Sequence, residues 1–228
     1  MTLLILLAEL VGLYLLSRWL IKKLYFFFLL LFKARSVAIS AVTLLLFPGT
    51  VVHELSHLFT AEILGVRTGK LTLAPESIRE ASIRTGSIAI AATDPFRRSA
   101  IGLSPVFAGI VSLAAISYFL QQYFTALQGS TLQSALIGGL GFYFLFTVSN
   151  SMFSSKEDLK GFWPLAITLG LFAGALYFVG FRIGLEGKVL EVPTTVLSSL
   201  VQSLGLVLAV NGVLLLMLSI LIAATKKS

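Results

Sequence analysis

Apolar runs long enough to cross a bilayer recur along the whole chain, and they limit its fold more than any other feature. A hydrocarbon core about 30 Å thick is spanned by about 20 helical residues. Runs that can be cut to that length lie at about 2–17, 36–64, 100–123, 131–150, 163–181 and 195–224. The 228 residues are 57% hydrophobic and only 12% charged, whereas a soluble domain is about one quarter charged. Lipid offers no partner to an open backbone, so such runs become helices. The expected fold is an all-α polytopic membrane protein with about six transmembrane helices.

Two stretches resist that reading. Residues 18–35, "RWLIKKLYFFFLLLFKAR", hold an uncharged run too short to cross comfortably, so they either extend the first helix or lie along the interface. Residues 65–99 are the long polar stretch. They contain "GKLTLAP" and "EASIRTGSIAIAATDP", rich in alternating or β-branched residues, with Thr85 and Gly86 as a candidate turn. This reads as a small membrane-associated β-hairpin or sheet following the second span. Asp94, before Pro95, reads as a turn residue. Gly138, Gly139 and Gly141 in the fourth span favour close helix packing.

The net charge is +7, but the basic residues flank apolar runs and form no stripe. Anionic lipid headgroups are therefore the expected partner, and nucleic acid is not. No cysteine is present, which excludes disulfides and thiolate metal sites. The first residues lack a basic start and a cleavage site, so they read as a retained span. Glu9 within it reads as a carboxylate near a helix end. With 65–99 on the cytoplasmic side, ten of the 17 Lys and Arg residues fall there, which favours that orientation.

Against this background "HELSH", residues 53–57, stands out. Helical residues four apart differ by about 40° in direction, so His53 and His57 project from one face and can share a metal ion. Glu54 flanks them, placed to hold and deprotonate a water. Zinc suits imidazole and carboxylate ligands and makes its water acidic near neutral pH. A histidine pair can merely bond neighbouring helices. Here, however, both histidines of the chain fall in this one pattern, inside a segment where polar side chains are costly. Glu62, nine residues past His53, points to the opposite side.

A catalytic zinc with two histidines needs a third protein ligand. Asp158 and its neighbour Glu157 follow the fourth span and return to the face of the HELSH helix. Glu76, nineteen residues past His57, matches a spacing of soluble zinc peptidases but lies in strand-like surroundings after a proline.

Taken together, HELSH, "HLFTAEILGVRTGKLTL", "RRSAIGLSPVFAGI" and Asn150 eight residues before Asp158 resemble the site-2 protease family of intramembrane zinc metalloproteases over residues 36–162. The chain departs from it in lacking prolines between Asn150 and Asp158 and a glycine directly after Asp158. The resemblance implies that His53, His57 and Asp158 hold zinc, that Glu54 is the general base, and that Asn150 binds substrate or the developing oxyanion. It further implies that an edge strand of 65–99 pairs with an unwound substrate, and that the active site faces the cytosol, in the cell membrane.

The expected organisation is a transmembrane helix with an interfacial segment at 1–35, a three-helix catalytic core with its β-segment at 36–162, and two helices at 163–228 as a candidate gate. The expected activity is zinc-dependent hydrolysis of peptide bonds in or near transmembrane segments of membrane proteins or peptides, by a water that Glu54 activates. Two alternatives stand beside it. One is a membrane-embedded zinc peptidase acting on loops or soluble peptides with Glu76 as ligand. The other is a non-proteolytic metal-binding transporter or scaffold.

Overall fold

The computed structural model describes residues 2–72, 77–79, 82–84, 87–91, 93–126, 131–153, 171 and 188–227. Five helices in it are long and apolar enough to cross a membrane, as in a multi-pass membrane protein. They are α1 (Thr2–Phe32), α2 (Arg35–Ile63), α3 (Pro95–Ala126), α4 (Thr131–Ser151) and α5 (Lys188–Lys227). Large apolar side chains such as Leu44, Ile63, Leu132 and Ile220 stand on their outer surfaces. A soluble monomer rarely displays so many. The span expected at 163–181 lies outside the described residues.

Residues 18–32 extend the first helix. No Gly or Pro interrupts them, and Leu20 and Leu24 form one buried cluster with Val42, Leu46 and Phe146, flanked by Leu214, Leu215 and Leu218 of α5. Packing therefore holds the basic stretch in helical register. Lys33, at φ 54°, ends α1 in the left-handed region, with its N–H on the Leu29 carbonyl at 2.9 Å. Glu9 faces α5: a Cβ built on Gly205 would stand 3.3 Å from Glu9 Oε1. The carboxylate thus meets a neighbouring helix.

α2 touches α1, α3 and α4. Its approach to α4 is set by Gly49, where a Cβ would overlap the Thr147 carbonyl and the Ser151 hydroxyl. Glycine thus brings two backbones into direct contact. The glycines of α4 divide. A Cβ on Gly141 would overlap Leu120, and one on Gly138 would come 2.9 Å from Phe124, while Gly139 faces open space.

The end of α2 is a Schellman turn. Gly65, at φ 66°, donates its N–H to the Glu62 carbonyl at 3.0 Å, and Val66 donates to Ala61 at 2.8 Å. Only a residue without Cβ adopts this geometry at little cost. Val66 then packs with Ala61 and with Ile101 of α3, so the turn couples the end of α2 to the start of α3.

Between them run four short strands, β1 (Thr68–Thr72), β2 (Ser77–Arg79), β3 (Ser82–Arg84) and β4 (Ser87–Ile90). β2 pairs antiparallel with β3, and β1 with β4, one pair nested within the other. The Arg79↔Ser82 pairing puts the reversal between those residues. Thr85 and Gly86, the candidate turn, lie outside the described residues.

Asp94 is the N-cap of α3 instead of a simple turn residue. Its Oδ1 accepts the Arg97 N–H at 2.9 Å, and its Oδ2 lies 3.2 Å from Arg97 Nε. Pro95, the first helical residue, has no N–H to leave unsatisfied. The backbone N–H of Arg97, aided by that residue's charge, holds the Asp94 carboxyl below its ordinary range.

Gly49→Ala should force α2 and α4 apart and lower stability by about 1–3 kcal/mol, whereas Gly139→Ala should be near neutral. Unfolding in detergent or bicelles distinguishes the two. Because its pKa is lowered on folding, Asp94 stabilises the fold above its unfolded pKa of about 3.9, and that contribution disappears as pH falls through the folded value. The unfolding midpoint of the wild type should therefore exceed that of Asp94→Asn at neutral pH, and the difference should shrink below about pH 4.

Candidate metal centre

His53 and His57 lie one turn apart on α2 and are buried, 3% and 5% exposed. Their Nε2 atoms stand 3.2 Å apart and the ring planes are nearly perpendicular, at 87°. Two zinc–nitrogen bonds of about 2.0–2.1 Å at the tetrahedral angle separate the nitrogens by about 3.3–3.4 Å. The pair is thus spaced as two ligands of one tetrahedral ion. The same distance admits an N–H···N bond, so in the metal-free chain one Nε2 donates to the other.

The far side of His57 decides which. Its Nδ1 lies 2.8 Å from the Ile101 carbonyl oxygen, and that oxygen can only accept. Nδ1 therefore carries the proton in the neutral ring, and Nε2 presents its lone pair. Metal-binding imidazoles are oriented in this way by an outer acceptor on the other ring nitrogen. Ser104 donates to the same carbonyl at 2.7 Å and stands 3.5 Å from both His57 Nδ1 and Ser56 Oγ. Ser56 in turn donates to the His53 carbonyl at 2.6 Å.

Glu54 is buried, 4% exposed, beside the pair in sequence, while Glu62 is exposed on another face. Asp158, its rival Glu157, and Glu76 lie outside the described residues. Among the described residues no three His, Cys, Asp or Glu side chains gather as a metal site.

Asn150 is fully buried, and its partners come from α1, α4 and α5. Its Nδ2 lies 2.8 Å from the Phe146 carbonyl and 3.1 Å from Asn211 Oδ1. Asn211 donates back to Ser149 Oγ at 3.1 Å, and Ser17 Oγ donates to the Asn150 carbonyl at 3.1 Å. Asn150 Oδ1 has no hydrogen-bond partner among the described residues. This amide cluster fastens the end of α4, where the chain leaves at Met152 and Phe153. Phe153 meets Tyr14 edge-on at 5.7 Å, and Arg18 donates to the Tyr14 hydroxyl at 2.8 Å.

Sequence reasoning passed over Asn211, Ser17 and Ser104. Asn211 carried a signal, an amide within "LAVNGVLLL", where an unpaired polar group is expensive. The Ile101 carbonyl carried none of its own, since any helix has such groups. A cavity of about 520 Å³ between α3, α4 and α5, bordered by Ser117, Gln121, Phe142 and Gln202, shares no lining residue with HELSH.

In comparisons with protein-family models, curated proteins and solved structures, none matches the chain.

Asn211→Leu should cost about 1 kcal/mol, and Asn150→Leu a similar amount. The double variant should lose less than the sum, because the two amides satisfy each other. Denaturation of the four proteins in bicelles measures that coupling.

Proposed function

We propose that the chain is an intramembrane zinc metalloprotease of the site-2 protease type, hydrolysing peptide bonds in or near transmembrane segments of other proteins. The observation that carries this reading is the buried imidazole pair, spaced as zinc ligands and oriented by a backbone carbonyl. In this proposal His53 and His57 supply two ligands and Asp158, seven positions beyond the last residue of α4, supplies the third. Zinc, when bound, would acidify the attacking water and polarise the scissile carbonyl.

Glu54 takes the proton of that water and returns it to the leaving amine. The burial of Glu54 supports an exchange shielded from bulk solvent. The hydrogen bonds of Asn150 to Phe146 and Asn211 support a task of positioning the end of α4. Donation from Asn150 to substrate or oxyanion requires its amide to leave Asn211. Strands of the 65–99 segment pair with the unwound substrate, a span at 163–181 and α5 gate its entry, and the site faces the cytosol of the cell membrane.

Zinc content and cleavage of a transmembrane reporter peptide, measured on the full chain in detergent or nanodiscs, test the proposal. Glu54→Gln should keep zinc and lose about 10²–10⁴-fold in turnover. His57→Ala and Asp158→Ala should lose zinc, while Glu76→Ala should keep it. The reverse pattern for Asp158 and Glu76 favours a Glu-ligand peptidase. A wild type that binds zinc but does not cleave the reporter favours a transporter or scaffold, and a wild type that binds no zinc sinks the reading.

A further inference from the structure

We infer that Pro105 creates the acceptor that orients His57. By withholding an N–H from the Ile101 carbonyl, it leaves that oxygen to fix the imidazole with Nδ1 protonated and Nε2 turned towards His53. Pro105 lies inside α3, four residues after Ile101. In an uninterrupted α-helix the N–H of residue 105 would occupy the carbonyl of residue 101. Proline has no N–H and its ring pushes that carbonyl aside.

A carbonyl so released in an apolar, buried setting must find other donors. Ile101 O finds two, one for each lone pair. His57 Nδ1 lies at 2.8 Å and Ser104 Oγ at 2.7 Å. Both come from residues less than 8% exposed, and Ile101 itself is fully buried against Ala61 and Val66. The short run "IGLSP" thus contains the acceptor, the hydroxyl that shares it and the proline that frees it. A proline needed only to bend α3 would not require an imidazole from α2 on the released oxygen.

Pro105 and Ser104 are accordingly positioning residues acting through His57. The use made of Nε2 rests on the metal reading of the site, whereas the tautomer does not. The test uses the full chain labelled with ¹⁵N-histidine, metal-free in nanodiscs at about pH 8.5, above the ordinary imidazole range of about 6.5. With two histidines in the chain, a His53→Gln sample assigns the signals. The expected wild-type spectrum has His57 protonated at Nδ1, with Nε2 bare.

In Pro105→Ala the new N–H competes for Ile101 O. The Nδ1–H form should lose its dominance, and zinc affinity should fall about 10–100-fold. A wild-type His57 resting as the Nε2–H tautomer overturns the inference, and so does a folded Pro105→Ala with unchanged tautomer and zinc affinity. If Pro105→Ala does not fold, the wild-type tautomer decides. A wild type with the Nδ1–H tautomer that binds no zinc supports the proline's role and removes the metalloprotease reading instead.

Discussion

A polar group inside these helices is stabilised chiefly by a partner within the protein, and that constraint organises the structure. The outer surfaces carry Leu44, Phe59, Val111 and Ile220, suited to a surround that offers no hydrogen bonds. Inside, His57 takes a carbonyl, Ser17 takes another, and Asn150 and Asn211 take each other. Each of these bonds joins two helices. The polar residues that would be a liability in oil are therefore also the ones that fix how the helices meet.

Two devices let the helices come close enough for such bonds. At Gly49 the missing side chain admits the α4 backbone, one turn before His53. At Gly65 a left-handed residue folds Val66 back onto Ala61 and brings Ile101 alongside. The first sets the α2–α4 distance, and the second sets the α2–α3 register. The imidazole pair lies between them along α2, held from both directions.

Much of this was legible in the chain. Apolar run lengths located the five described helices, because in lipid the backbone leaves few alternatives to a helix. The HELSH spacing brought the two imidazoles together because helical periodicity is local. Residues 18–32 were harder to read, since their charges argue for an interface while Leu20 and Leu24 argue for a core. Tertiary packing decided in favour of the core. Asn150 was placed correctly near the end of a helix, yet its principal partner, Asn211, lies 61 residues away. Pairing over such a separation leaves no local pattern. Pro105 was visible as part of a resemblance, but its effect on a carbonyl in the preceding turn needed the geometry of a neighbouring helix.

The β-segment begins just after the Schellman turn at Gly65 and ends just before the Asp94 cap. Both boundaries are anchored by their own backbone hydrogen bonds. Between these anchors, β1 and β4 also touch α2. Lengthening such a connection costs little, about 0.6 kcal/mol of closure entropy for each doubling. A change in the length of this connection is therefore cheap in entropy as long as the two anchors keep the end of α2 and the start of α3 in place.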